Sequence, residues 1–447
     1  LIDDALLSIP TVSLVTDLDN LFDPLTGIYV NADMEGLPWE RPVSVELLYP
    51  PNPQGPGFPD LVKVRDPNGA VRWELPAEMR DGFQIDAGMR IRGGYSVSGN
   101  NPKHAFRLFF RGIYGPTKLR YPLFGDEGVD EFDHVDLRCS QNYSWAFSGS
   151  YHNTMVREVF SRDLQGEMGR PYTRSRYYHL YINGHYWGLF QTQERSEASF
   201  GESYLGGDKD DYDVITSNWT FDRRMVPTDG NRESLDRLYD ETTAPGGFAG
   251  NERYYRVQGL DVDGTPNPNY ERLLDVDNLI DFMIIEYYTG DRDGPGSRFG
   301  NKPNNTYAIY NRKNPDGFKW PHHDNEHTLG AGSAEENMVT PFASNYSLFD
   351  DKEYFACHWL HEQLMFSNAE YRLHFADHVH RHFFNDGLLT LDKSRNRIIN
   401  RMNQIYMAII AESARWGDSK RTTPRTKDDD WLPELNRLLY DQTSLIR

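Results

Sequence analysis

Three clusters of residues have the types and spacing to do chemistry. Trp320-Pro321-His322-His323-Asp324-Asn325-Glu326-His327 follows an apolar, strand-like stretch. In an extended chain His322, Asp324 and Glu326 would share one side, because side chains alternate along a strand. Oxygen donors at Asp324 and Glu326 suit Mg2+, Mn2+ or Ca2+, and the three histidines would also admit a transition metal. Asp291-Arg292-Asp293 ends an expected helix, and Asn304-Asn305 follows after a Gly/Pro-rich insertion. Two aspartates there suit a general base and a cation ligand. The third cluster is Gly93-Gly94-Tyr95-Ser96-Val97-Ser98-Gly99-Asn100-Asn101, with Lys103 just beyond it. A small-residue loop can bring backbone N–H groups to phosphate oxygens, and a lysine beside it adds a point charge. Asp261-Val262-Asp263-Gly264 reads only as a turn: the position a calcium loop fills with glutamate is Arg272.

The elements that would position these residues divide along the chain. The first half is strand-rich. Val43-Ser44-Val45-Glu46-Leu47-Leu48 and Phe83-Gln84-Ile85-Asp86 read as strands. Met89-Arg90-Ile91-Arg92 and Phe106-Arg107-Leu108-Phe109-Phe110 read as a pair flanking the glycine loop. Asn183-Gly184, between two aromatic-rich runs, is the strongest hairpin signal, because both residues accept positive φ. Helices are expected over 150–168, 275–289, 353–384 and 391–415. Cys139 and Cys357 are too few for a disulfide scaffold or a cysteine zinc site; two buried free thiols are the plainer reading, and one long-range disulfide stays open. Of the 11 lysines, three fall in the first 200 residues: Lys63, Lys103 and Lys118.

The 447 residues carry 67 acidic and 47 basic side chains, a net charge of -20. This argues against nucleic acid as a partner, since such proteins usually show a basic excess. A basic substrate would suit that charge by electrostatic steering. No apolar run reaches the ~18 residues of a membrane span, and the mean hydropathy is -0.70. The sequence begins at Leu1 without methionine or signal peptide, so a processed or trimmed chain is expected.

Taken in order, these segments resemble the spore coat protein H (CotH) kinase family, over about residues 26–416. The resemblance rests on five segments: Arg90-Ile91-Arg92-Gly93-Gly94 leading to Lys103; Tyr181-Ile182-Asn183-Gly184-His185-Tyr186-Trp187-Gly188-Leu189-Phe190; Leu274-Asp275-Val276-Asp277-Asn278; Asp293 with Asn304-Asn305; and His323-Asp324. Gly27-Ile28-Tyr29-Val30 and Trp39-Glu40-Arg41-Pro42 are similar to the secreted, bacterial branch. The resemblance implies an α+β, atypical protein-kinase-like two-lobed fold. A strand-rich N-lobe would span 1–198, a helix-rich C-lobe 199–416 and a polar tail 417–447.

The resemblance also implies ATP as cofactor, with Mg2+ (or Mn2+ or Ca2+), and a secreted or cell-surface location. Arg92, Gly93, Gly94 and Lys103 would hold the nucleotide phosphates. Glu158 would partner Lys103, and Glu194 would lie near the adenine. Asp293 would orient the acceptor hydroxyl, and Asn305 and Asp324 would bind metal, with Glu326 as an added ligand. Asn305 lies well beyond the five-residue spacing of ordinary kinases, so Asp291 is an alternative to Asp293. Two other functions stay open. One is a carbohydrate-active enzyme using Asp291, Asp293, Asp324 and Glu326 as acid/base groups. The other is a non-catalytic adhesion or coat module.

Overall fold

The computed structural model describes residues 1–441 apart from 67, 95–96, 100, 301, 332–336 and 340–350. Tyr95, Ser96 and Asn100 of the glycine loop lie outside the described residues. The chain forms two compact units, each assembled from separated stretches. The first comprises Leu1–Val156, Arg174–Arg195 and Arg397–Arg437; the second comprises Arg157–Thr173, Ser196–Asn396 and Leu438–Arg447. The division expected near residue 198 thus has two exchanges: the helix after Val156 joins the second unit, and residues 397–437 join the first.

The first unit is strand-rich. Its strands are β1 (Thr11–Val15), β2 (Arg41–Leu48), β3 (Phe83–Arg92), β4 (Ala105–Phe109), β5 (His134–Arg138), β6 (Tyr177–Ile182) and β7 (His185–Gln193). They close into a barrel in the order β1-β6-β7-β5-β4-β3-β2. β1 and β6 run parallel and the other pairs antiparallel. β2 shows the cause most plainly: Val43, Val45 and Leu47 alternate inward into one apolar core with Leu14, Met89, Phe106, Leu137 and Leu180. β6 and β7 turn at Asn183-Gly184, both at positive φ (49° and 78°). The Asn183 side chain then spans both backbone groups of Thr16, accepting from its N–H and donating to its C=O.

The expected polar tail is ordered in this unit through residue 437. Short helical turns cover Lys427–Trp431 and Leu432–Asn436. Trp431 is fully buried, and its indole donates to the Thr154 carbonyl. Trp431 and Leu435, one helical turn apart, bury a segment whose composition is otherwise charged.

The second unit is helix-rich. Its sheet comprises β8 (Tyr212–Asn218), β9 (Arg224–Asp229) and β10 (Tyr307–Asn311), with β8 in the middle. Its principal helices are α1 (Arg157–Glu167), α2 (Val276–Thr289), α3 (Cys357–Ser367) and α4 (Ala369–Phe383). α2 begins where the Asp275 side chain accepts the Asn278 N–H and ends at Gly290 in the left-handed region. The expected helix over 353–384 is two helices broken at Asn368, whose extended backbone and side chain cap α4. Cys139 and Cys357 are buried free thiols, one in each unit.

Candidate functional site

In the first unit the site is built around Lys103, which lies just before β4 and is fully buried. Its ammonium meets Glu412 Oε1 at 2.6 Å and the Leu189 carbonyl at 2.9 Å, over the Phe190 ring. The other Glu412 oxygen accepts the Leu189 N–H at 2.7 Å. Glu412 comes from the helix Ala408–Trp416, and Trp416 donates to the Trp187 carbonyl. Gly188 explains part of the Tyr-Trp-Gly-Leu-Phe run. It sits at φ +127°, and a Cβ there would lie 2.6 Å from Glu412 Oε2 and 2.9 Å from Lys103 Cε.

Lys103 therefore pairs with Glu412 and not with Glu158, as the sequence reading had it. Glu158 belongs to the second unit. Glu412 escaped the sequence reading because it is remote in the chain. Its signal was a lone carboxylate on an apolar stripe, four residues from both Ala408 and Trp416. Arg92 pairs with Asp136 at 3.0 Å, and Glu194 accepts from Arg174. Gly93 adopts φ +128°, which a side chain would resist. Lys63 lies exposed on a short strand, and Lys118 pairs with Glu131.

In the second unit the acidic segments converge. Ile309 of β10 exchanges both backbone hydrogen bonds with Lys319. This antiparallel pairing sends the residues before β10 and those after Trp320 to the same end, where Asn305 and Asp324 lie. Gln165 of α1 fastens the second segment, donating to the Trp320 carbonyl and accepting the His322 N–H. Arg157 donates to the Thr328 carbonyl. Glu158, in the first turn of α1, thereby joins Asp324 and Glu326, with one oxygen from each within 4.8 Å of the others. Glu158 also lies 3.9 Å from Arg162. Asp324 is not in the extended conformation that strand alternation assumed. It sits at φ 57° and leads into a 3-10 turn over Asn325–His327.

Asn305 also has a positive φ, 42°. Asn304 N–H donates to the Gly294 carbonyl, closing the insertion, and Asn305 Nδ2 then reaches Asp293 Oδ2 at 3.3 Å. Asp293 Oδ1 accepts from Ser297 at 2.6 Å, and burial pushes its carboxyl upward. Asp291 is more deeply enclosed. It accepts the Asp293 N–H and the Asn325 amide at 2.6 Å, and is pushed well up by burial and by nearby Glu286. Burial also pushes Glu286 up, to about 8. His322 stacks on Phe282, lies 3.2 Å from Glu286 and is held neutral by burial, at about 3. Asp291 is thus a support for Asn325 and Asp293. Among the described residues, His322, His323 and His327 join no cluster at ligand distance.

Three nearby carboxylates are hard oxygen donors, and two of them, Glu158 and Glu326, are buried. That donor set fits Mg2+ or Mn2+, whose charge would relieve the mutual repulsion of buried like charges.

The strand-rich first half and the helix-rich C-terminal half make this an α+β, kinase-like fold. The family model described as CotH kinase protein matches residues 89–432, and the chain belongs to that family. It is also similar to two proteins of Rhizopus delemar. Invasin CotH2 is 23% identical over 228 residues and Invasin CotH3 is 24% identical over 240. Each match covers 46% of this chain and 35% of the relative, so the chain spans only part of the length of these curated relatives. Both relatives are fungal. No helix among the described residues is long and apolar enough to cross a membrane.

Proposed function

We propose that this chain is a kinase-like phosphotransferase that uses ATP and a divalent cation, Mg2+ before Mn2+ or Ca2+, to modify protein hydroxyls. The observation that carries the reading is the convergence of Glu158, Asp324 and Glu326 in the same unit as the Asp293–Asn305 pair. Those three carboxylates would hold the cation. When bound, the cation would neutralise phosphate charge and offset the charge that develops in transfer. Asp293, held by Ser297 and Asn305, would orient the acceptor hydroxyl. In the first unit Glu412 braces Lys103, as kinases brace their nucleotide lysine with a helix glutamate. A basic, serine-rich acceptor suits the charge of -20, and the location would be extracellular or at the cell surface.

Three carboxylates that each bring one oxygen within 4.8 Å of the others suit a shared cation. A second reading, a non-catalytic adhesion or coat module, is favoured by the relatives' description as invasins. One experiment separates the two. Calorimetry with ATP and Mg2+, followed by γ-phosphate label transfer to basic serine-rich peptides, should show nucleotide binding and labelled product, both lost in D324A. No nucleotide binding with either Mg2+ or Mn2+ would overturn the kinase reading in favour of the adhesion one.

A further inference from the structure

A second cluster in the helical unit uses different donors. α2 carries Asp277 and Asp281 one turn apart, and α4 carries His374, His378 and His382 at successive turns. Residues four apart share a helix face, so two carboxylates meet three imidazoles along the line where these helices pack. Asp277 Oδ1 lies 2.9 Å from His374 Nε2 and 3.3 Å from His378 Nε2. Asp281 Oδ1 lies 2.6 Å from His378 Nδ1 and 3.1 Å from His382 Nε2. The other Asp281 oxygen is taken by Arg170 Nε at 2.6 Å, and an Arg170 Nη2 stands 3.9 Å from Asp277 Oδ2.

His378 decides what this cluster is. The ring is fully buried, and its Nε2 has no hydrogen bond despite lying near Asp277. Its Nδ1 faces Asp281. A carboxylate on one ring nitrogen fixes the tautomer and leaves the other nitrogen's lone pair for a metal. One atom each from Asp277, His374 and His378 falls within 4.8 Å of the others. The two separations, 2.9 and 3.3 Å, approach the ~3.3 Å edge of a tetrahedron with Zn–N bonds of about 2.0–2.1 Å. Asp281, His378 and His382 also cluster, but there the Arg170 charge sits directly on the carboxylate and opposes a cation. Asp277 and His374 keep side-chain exposures of 45% and 35%, so a fourth position opens to water.

We propose that Asp277, His374 and His378 bind a first-row divalent transition cation, with Zn2+ as the expected occupant and Asp281 as the positioning residue for His378. Two imidazoles and one carboxylate favour such an ion over Mg2+ or Ca2+, which the all-oxygen cluster of Glu158, Asp324 and Glu326 would take. The bound ion would tie α2 to α4, and α2 leads directly into Asp291 and Asp293.

The test uses the full chain after metal stripping. Titration with Zn2+ in excess Mg2+ should show one equivalent bound, and Co2+ should give the visible bands of a tetrahedral site. H374A, at a partly exposed position, should weaken Zn2+ binding at least about tenfold and abolish the Co2+ bands. D324N should retain both. Zn2+ should raise the thermal midpoint of the wild type but not of H374A. Equal Zn2+ affinity in H374A and wild type, or an absence of saturable Zn2+ binding, would overturn the proposal. Loss in H382A with retention in H374A would overturn it as well, placing the ion at Asp281.

Discussion

Glu412 meets Lys103 at 2.6 Å across 309 residues of chain, and both side chains are completely buried. Neither charge reaches water, so each depends on the other. Removing one leaves an uncompensated buried charge, which costs about 3–5 kcal/mol. E412A is therefore expected to lower unfolding stability by that order in urea titration. The apolar double variant K103M/E412L should lose markedly less than E412A does. A double variant as unstable as E412A would show that packing, not charge, dominates here.

Gly188 should be nearly unsubstitutable. G188A places a methyl against Glu412 and Lys103 from a backbone at φ +127°. Strain of this kind costs on the order of 1–3 kcal/mol before any steric term. Thermal denaturation should show a clear drop in midpoint for G188A, while G184A, whose Cβ meets nothing within 4 Å, should show only the smaller cost of its positive φ.

Asn305 combines a backbone role with a side-chain role, and two variants separate them. N305G keeps the left-handed backbone and loses the contact to Asp293; N305A loses both. Stability is expected to follow the order wild type, N305G, N305A. Mg2+-dependent nucleotide binding, measured by calorimetry, should fall about equally in both variants. If N305G binds as wild type does, the amide has no part in the site.

Burial gives Glu286 a pH signature. Its folded-state pKa is raised from 4.5 to about 8, so between these values the folded chain holds a proton that the unfolded chain releases. That contribution to stability is complete below about pH 4.5 and is lost as pH rises through about 8. Guanidinium denaturation at a series of pH values should show stability falling across this window. E286Q, which cannot ionise, should flatten the fall; an unchanged slope would assign it to Asp291 alone.

Much of the architecture was legible because it is governed by near neighbours. The Asn183-Gly184 turn follows from two residues that accept positive φ. The core face of β2 follows from alternation, and the limits of α2 follow from Asp275 and Gly290. Lys103 could be singled out since it alone among the early lysines follows a glycine loop. The break at Asn368 was missed because apolar residues continue on both sides of a local cap. The tail was read as polar because composition averages over the single Trp431 that docks it.

By itself the sequence determined the kinds of atoms available: a scarce lysine, carboxylates and amides in ordered segments, and histidines at every fourth position of one helix. Only the tertiary structure decided their partners. Glu412 rather than Glu158 neutralises Lys103; Glu158 instead joins Asp324 and Glu326; Asn305 returns to Asp293 through a closed insertion; and Asp277 meets His374 and His378. The physical reason is range. Backbone conformation and amphipathic pattern act over a few residues, whereas charge pairing and ligand geometry act over a few ångströms, and residues far apart in sequence come that close only after the barrel closes and the helices pack.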